Sequence, residues 1–169
     1  MTTFLKLAES RYSLRKFKSQ PIEQEVLNRV LEAARIAPTA HNNQPQRIMI
    51  ISGDDLEKVD LCTQCRFGAP TVLLVCYDKT VCWIRPFDDA PSGEVDASIV
   101  TTHMMLAAQE EGLGTCWVMN YDAAKCAELF NLPESIVPVA LLPIGYPNND
   151  AKPSGRHNER LELDQLLLK

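Results

Sequence analysis

The feature that most constrains the fold is a long apolar helix, which the sequence predicts from Glu94 to Glu111. At about 100° per residue its apolar side chains surround the helix instead of forming one stripe. These side chains are Val95, Ile99, Val100, Met104, Met105, Leu106, Ala107 and Ala108. Such a helix must be buried on most sides, and in a chain of 169 residues part of that cover is most easily supplied by a second subunit. The pattern therefore predicts a central helix and favours a homodimer.

Length and charge disfavour several classes of protein. A chain of 169 residues with 46% hydrophobic residues has the size of one domain, which we expect to span residues 1–169. A formal net charge of -5 disfavours broad binding to nucleic acids or membrane surfaces, because both favour a basic footprint. No apolar run is long enough to span a bilayer, and the first residues lack the pattern of an export signal. We therefore expect a cytoplasmic protein without a nucleic-acid or membrane partner.

Apolar periodicity places further helices and strands along the chain. Helices are predicted at residues 2–10, 22–37, 54–65 and 123–130, and strands at residues 48–51, 71–77, 115–119 and 137–144. Pro138 and Pro143 lie near the ends of the last strand, which is typical of an edge or irregular strand. Residues 78–91 follow no period and are predicted to form a loop or lid. The leucine-rich arm at residues 161–168 needs a surface on which to dock.

A short basic stretch near the N-terminus is the first candidate binding site. If it is extended, Arg11, Ser13 and Arg15 share one face, whereas Tyr12 and Leu14 point the other way. Two guanidinium groups with a small hydroxyl between them form a plausible cradle for the oxygens of a phosphate. The alternative is a solvated basic patch at the end of a surface helix, and the stretch alone does not decide between the two.

Few other residues suggest chemistry. Cys62 and Cys65 have the C-x-x-C spacing of redox or zinc sites, but no second pair has zinc spacing, and we interpret the six cysteines as mostly core thiols. His41 lies in a polar loop from Pro38 to Pro45, where it could act as an acid or base or simply cap the loop. The three histidines do not supply a metal cluster, and there is no nucleophile elbow or P-loop. Hydrolytic and nucleotide-triphosphate chemistry are therefore poorly supported, and no metal is predicted.

Four motifs occur in an order that covers almost the whole chain. They are Arg11 to Phe17, Ala34 to Pro45, Gly112 to Trp117 and Ile144 to Pro147. With these motifs in this order, the sequence resembles the nitroreductase-like, FMN-dependent oxidoreductase family. The resemblance implies an α+β, three-layer α-β-α fold with a mixed, largely antiparallel central sheet flanked by helices. It also implies an intertwined homodimer with two shared active sites, in which the C-terminal arm at about residues 156–169 packs on the partner subunit.

The resemblance also assigns residues to FMN. The phosphate would be held by Arg11, Ser13, Arg15 and Arg160, with Arg156 competing for the role of Arg160. The loop after the second helix would reach the flavin from the other subunit, through Pro38, Thr39, Ala40, Asn42 and Gln44. Backbone groups around Leu113, Gly114 and Thr115 would face the reactive edge of the ring. One departure is Gln46, which stands where the family usually has an aromatic residue after Gln-Pro, and which predicts an unusual substrate pocket.

The activity implied by the resemblance is a two-step cycle. NADH or NADPH reduces FMN, and the reduced cofactor then reduces a small acceptor such as a quinone or nitroaromatic. No acid or base side chain is compulsory in such a cycle, so we assign no catalytic residue. Trp83, Arg85 and Phe87 would line the substrate side if residues 78–91 form a lid, and would otherwise belong to a packed loop. Two alternatives stay open: an FMN-binding protein without turnover, serving storage, sensing or flavin breakdown, and a non-flavin interaction domain built on the apolar helix.

Overall fold

The computed structural model of the chain describes residues 3–168. Its helices are α1 (Phe4–Ser10), α2 (Gln24–Ile36), α3 (Leu56–Cys62), α4 (Gly93–Glu110) and α5 (Ala123–Leu129). Its strands are β1 (Gln46–Ser52), β2 (Thr71–Asp78), β3 (Gly114–Thr115) and β4 (Ile136–Gly145). Short 3-10 turns lie at Ala40–Asn42, Gly53–Asp55, Gly155–Asn158 and Leu163–Leu166. The predicted helices and strands are confirmed with shifted boundaries; residue 2 of the first predicted helix and residue 169 of the arm lie outside the described residues.

The four strands form one sheet in the order β1-β2-β4-β3. β1 pairs with β2, β2 with β4, and β4 with β3, and each pair is antiparallel. A parallel contact is made where Ser13 forms an isolated bridge with Thr115 at the β3 edge. The prediction of an α+β fold with a largely antiparallel sheet is therefore confirmed.

The alternation of side chains along β2 builds a core on both faces of the sheet. The face that packs against α2 and α4 contains Leu73, Val75 and Tyr77. The face that packs against α3 and α5 contains Val72, Leu74 and Cys76. Because helices cover the sheet on both sides, the predicted three-layer α-β-α arrangement is also confirmed.

Of the two predicted alternatives for β4, an edge strand or an irregular strand, the structure shows the irregular one. β4 lies inside the sheet, between β2 and β3. The register shifts beside Pro138, so that Val139 has no residue opposite it on β2. A bulge of this kind accommodates a proline, which cannot donate a hydrogen bond to the next strand. On the other side β4 pairs with the two residues of β3, and beyond them the Cys116 N–H donates to the Pro143 carbonyl and Val118 forms an isolated bridge with Leu141.

Two elements are shorter than predicted for a shared reason. The strand predicted at 115–119 ends at Thr115, and the helix predicted at 54–65 ends at Cys62. The two ends hydrogen-bond to each other, because Thr63 Oγ1 donates to the Asn120 carbonyl over 2.6 Å and the Asp122 N–H donates to the Cys62 carbonyl over 2.9 Å. These long-range bonds draw the backbone away from regular structure at both places.

The apolar helix α4 lies between α2 and the sheet. It ends as Gly112 predicts: this residue has a φ of 74°, and the N–H of Leu113 donates back to the Ala108 carbonyl over 2.8 Å. Residues on one side of α4, including Met104, are fully buried, whereas Val95 is 61% exposed. This chain therefore covers only part of the apolar surface of α4, and cover by a second subunit stays a prediction.

Candidate functional site

The basic stretch near the N-terminus is extended and lies along the edge of the sheet. α1 ends at Ser10, and Arg11 already has extended backbone angles, with φ at -70° and ψ at 127°. The Leu14 N–H donates to the Thr115 carbonyl over 2.8 Å. Leu14 is fully buried, while Arg15 is exposed. The buried leucine thus fixes the stretch to β3, and its arginines are free to face an anion.

Gly114 makes this close approach possible. A Cβ atom built on Gly114 would overlap the Leu14 side chain and lie 2.9 Å from Leu14 Cβ. Leu113 and Thr115 on either side are buried as well, and their backbone groups bond to the end of α4 and to Leu14. The three residues therefore join α4, β4 and the basic stretch. Their contact with a flavin ring stays a prediction.

One pocket of about 200 Å³ brings together both ends of the chain. The predicted phosphate residues that line it are Arg11, Ser13, Arg15, Arg156 and Arg160. Arg156 and Arg160 are therefore not alternatives for contact with the phosphate, because both line the same pocket. The sequence interpretation missed three further lining residues, which are Tyr12, Ser154 and His157. The alternation predicts Tyr12 on the face opposite the arginines, but Tyr12 also lines the pocket.

The charges around this pocket are unusual for the chain. Five of its nine arginines, at positions 29, 35, 47, 66 and 85, form ion pairs with carboxylates. Within residues 3–168, no carboxylate pairs with any of the four pocket arginines. Among residues 3–168, Arg15 and Arg160 donate only to backbone carbonyls, of Ser13 and Glu159 respectively. Four guanidinium groups thus converge without an internal counter-charge, which is suited to binding a phosphate.

Residues 115–117, which begin at β3, contain buried polar groups. The Thr115 hydroxyl and the Trp117 indole N–H are buried and have no hydrogen-bond partner among residues 3–168. A buried polar group without a partner costs about 1–3 kcal/mol, so an internal water is expected to satisfy these groups. Burial raises the pKa of the neighbouring Cys116 thiol, while the Arg15 guanidinium acts in the opposite direction. This thiol is therefore kept protonated at neutral pH.

The loop predicted to reach a flavin, Pro38 to Gln44, is held in a strained shape. His41, Asn42 and Gln44 all have positive φ values, of 53°, 54° and 51°. The Gln44 N–H donates to Thr39 Oγ1 over 3.0 Å, which closes the loop on itself. Strain of this kind persists only where the surroundings fix the backbone, and it often marks functional loops.

Asp96 on α4 fixes this loop to the core, and the sequence interpretation missed it. Its carboxylate is 1% exposed and accepts the Ala40 N–H over 2.8 Å and the Ser92 hydroxyl over 2.7 Å. A buried carboxylate with two such donors ties the loop to the first turn of α4. An acidic residue near the start of an otherwise apolar helix was the only sequence feature that could have pointed to it.

A second cleft, of about 440 Å³, lies beside Ala40. Trp83 and Arg85 line it, together with Val95 of α4. His41 stacks on Trp83 with 5.1 Å between the ring centres. Phe87 is 93% exposed at the tip of the 84–91 turn and does not line the cleft. This cleft shares no lining residue with the arginine pocket, so one chain alone does not bring the Pro38–Gln44 loop to that pocket.

The cysteines behave as predicted. All six are free, five are buried, and Cys65 is half-buried. Burial raises the pKa of the Cys62 thiol, which is not the environment of a reactive thiolate. No group of three or more His, Cys, Asp or Glu side chains in the described part of the chain is arranged to hold a metal ion. None of the helices between residues 3 and 168 is long and apolar enough to cross a membrane.

The fold and the site together define a class of protein: a three-layer α+β chain whose sheet edge presents an arginine-lined pocket suited to a phosphate. Residues 8–67 and 57–146 match the Nitroreductase family, and the chain belongs to that family. The FMN reductase (NAD(P)H) of Bacillus subtilis strain 168 is 27% identical over 168 residues, which span 87% of this chain and 67% of that protein.

Solved structures show the same fold. A nitroreductase family protein from Clostridium difficile 630 has a TM-score of 0.92 at 38% identity, over 99% of this chain and 98% of that chain. A protein from Exiguobacterium sibiricum 255-15, solved in complex with FMN, has a TM-score of 0.82 at 22% identity, over 100% of this chain and 98% of that chain. At that identity the second likeness concerns the fold alone.

Proposed function

We propose that this chain is an FMN-dependent oxidoreductase that oxidises NADH or NADPH and reduces a small acceptor such as a quinone or nitroaromatic. Membership of the Nitroreductase family supports this proposal, as do the names of the Bacillus subtilis relative and the FMN complex of the Exiguobacterium protein. The acceptor itself is the least constrained part of the proposal.

The observation that carries the proposal is the convergence of Arg11, Arg15, Arg156 and Arg160 on one pocket without a carboxylate partner among residues 3–168. The phosphate of FMN is a dianion near neutral pH, and guanidinium groups bind it through forked, charge-assisted hydrogen bonds. The Ser13 hydroxyl adds a small donor between two of them. The donor set therefore fits a phosphate.

The residues of this chain would bind and orient the cofactor, and FMN when bound would supply the hydride and electron transfer. The arginines would anchor one end of the cofactor and so fix its distance from the sheet edge. The Pro38–Gln44 loop, held in shape by Asp96, would approach the flavin of the partner subunit. Protein groups held rigidly in this way stabilise charge without reorganising during the reaction.

We place the acceptor in the cleft beside Ala40. Its walls include the indole of Trp83 and the apolar side chain of Val95, which suit a flat organic molecule. Arg85 also lines this cleft, but its guanidinium is paired with Asp88 at 2.6 Å, so it is not a free anion site. Phe87 lies outside the cleft in this structure. We assign no residue of this chain the role of a catalytic acid or base.

We also propose a homodimer, in which each loop from Pro38 to Gln44 completes the partner's flavin site. Exposed apolar side chains support this: Phe4 and Leu5 on α1, Val95 on α4, and the leucines of the arm at positions 161, 163, 166, 167 and 168. The arm would then pack on the partner subunit. Sedimentation analysis of the purified protein tests this directly, and a monomer at micromolar concentration would contradict it.

The first test is the colour of the purified protein and its response to reductant. We expect a yellow protein, or one that takes up added FMN, and we expect NADH or NADPH to bleach the flavin absorbance in stopped-flow mixing. A protein that binds no FMN would refute the proposal. A protein that binds FMN but is not bleached by either nicotinamide would be a flavin-binding protein without turnover.

The second test is the double variant Arg11→Ala/Arg15→Ala. A hydrogen bond to a charged group contributes about 1.5–3 kcal/mol, so losing two arginines should weaken FMN binding by about 10² to 10⁴-fold. Arg35→Ala is a matched control, because Arg35 pairs with Glu32 on the surface of α2. Unchanged FMN affinity in the double variant, with the fold intact by circular dichroism, would show that the phosphate site is assigned wrongly.

A further inference from the structure

His157 differs from every other residue in the C-terminal segment. Residues 152–168 follow the last strand and carry Arg156 and Arg160, and within that segment His157 alone is not exposed. Its Nε2 atom lies 3.2 Å from the Glu9 carbonyl oxygen at the end of α1. Its ring meets the Tyr12 ring edge-on, with 6.2 Å between centres and 71° between planes. The imidazole is therefore inserted between two residues of the N-terminal part of the chain.

This contact with Glu9 is the one hydrogen bond that joins the segment to the rest of residues 3–168. The other hydrogen bonds made by residues 152–168 to described residues join groups within the segment, such as the His157 N–H to the Ser154 carbonyl. No ion pair in the described part of the chain involves residues 152–168. Because a carbonyl oxygen only accepts, Nε2 must carry the proton that it donates to Glu9.

This anchor, the contact of His157 with Glu9 and Tyr12, lies next to the two arginines that complete the pocket. His157 sits in the single turn Gly155–Asn158, one residue after Arg156 and three before Arg160, and it lines the same pocket as both. The arginine side chains are exposed and make no carboxylate contact among residues 3–168 that would hold them there. Their position over the pocket therefore depends on the backbone turn that His157 holds.

We infer that His157 is a positioning residue that makes the site selective for a phosphate-bearing flavin, by holding Arg156 and Arg160 opposite Arg11 and Arg15. The inference rests on the proposed function, in which this pocket takes the FMN phosphate. Without the anchor, the turn and both arginines have to be ordered when the phosphate binds, and that ordering reduces affinity. Riboflavin has the same ring but no phosphate, so its binding does not use this half of the pocket.

The experiment compares FMN and riboflavin as probes. Dissociation constants are measured by flavin fluorescence for the wild-type protein, for His157→Ala and for Asn158→Ala, a control in the same turn that lines no part of the pocket. For His157→Ala we expect FMN affinity to fall about tenfold or more, while riboflavin affinity and the control variant stay within about twofold of wild type. His157→Gln should recover part of the loss, because its amide can still donate to the Glu9 carbonyl.

A double-mutant cycle separates positioning from a general structural role. In the background Arg156→Ala/Arg160→Ala, adding His157→Ala should change FMN affinity by less than about twofold, because there is nothing left to position. An equal loss in both backgrounds, or a parallel loss of riboflavin binding, overturns the inference. Wild-type FMN binding with an unaffected His157→Ala variant overturns it while leaving the proposed function intact. A wild-type protein that binds no FMN overturns both.

Discussion

Replacing Gly114 with alanine tests whether β3 places the basic stretch through direct contact. The backbone of Leu14 pairs with Thr115, and its side chain fills the space above Gly114. A Cβ atom at position 114 would overlap the Leu14 side chain and lie 2.9 Å from its Cβ. Since that neighbour is the base of a buried side chain, it cannot swing away as the end of a flexible chain would. Either β3 or the basic stretch has to move.

The size of the effect follows from two opposing contributions. An alanine in place of glycine, where φ allows it, stabilises the fold by about 0.4–1 kcal/mol because it restricts the unfolded chain. Gly114 has no positive φ, so this gain applies. Overpacking a close-packed site costs about 1–3 kcal/mol. We therefore expect Gly114→Ala to lower the free energy of unfolding by about 1–2 kcal/mol, and to weaken FMN binding because Ser13 and Arg15 shift with Leu14.

Chemical denaturation measures the stability, and fluorescence titration measures FMN affinity. Gly155→Ala is the matched control: nothing lies within 4 Å of a Cβ atom there and φ is not positive, so stability should stay the same or rise slightly. The double variant Leu14→Ala/Gly114→Ala should be more stable than the sum of the single losses predicts, by about 1 kcal/mol, because the shortened side chain relieves the overlap. Gly114→Ala with wild-type stability and FMN affinity would refute the reasoning.

Two further predictions concern buried groups elsewhere. Asp96→Ala removes the acceptor of the Ala40 N–H and the Ser92 hydroxyl, so it should cost about 1–3 kcal/mol in chemical denaturation; Asp96→Asn should cost less, and equal losses for the two variants would contradict this. Burial raises the pKa of the Cys76 and Cys126 thiols from 9.0 to about 12. Above about pH 9 these thiols ionise in the unfolded chain but stay protonated in the folded chain, so the free energy of unfolding should fall as pH rises. Cys76→Val should make that fall shallower by about 1.4 kcal/mol per pH unit between pH 9 and 11, and an unchanged slope would argue against a raised pKa.

Much of the fold could be predicted from local patterns. The periodicity of α2 and α4, the β-branched run of β2 and the cap at Gly112 all act over a few residues, so the sequence shows them directly. The errors arose where distant residues compete with the local pattern. Thr63 and Asn120 end two elements through a bond between them. Pro138 and Pro143 left an edge or an irregular strand open, because a bulge that accommodates a proline leaves no sequence signal of its own.

The candidate site was less predictable, because its two halves are far apart in the chain. Motif order pointed to Arg11 and Arg15 at one end and offered Arg156 and Arg160 as rivals at the other. Only the folded chain brings all four to one pocket, and there they are neighbours. The anchoring contacts of His157 and Asp96 join residues 148 and 56 positions apart, and neither contact leaves a local pattern.

The distribution of ion pairs argues against the alternative that the basic stretch is a solvated surface patch. The chain has 22 acidic residues for 17 lysines and arginines, so carboxylates are plentiful. Five arginines have a carboxylate partner, and the four that have none among residues 3–168 line a single pocket. Like charges brought together repel each other, and an acidic chain could relieve that repulsion with one substitution. The repulsion among the four arginines is tolerated where a bound anion supplies the compensating negative charge. In the proposed function that anion is the FMN phosphate.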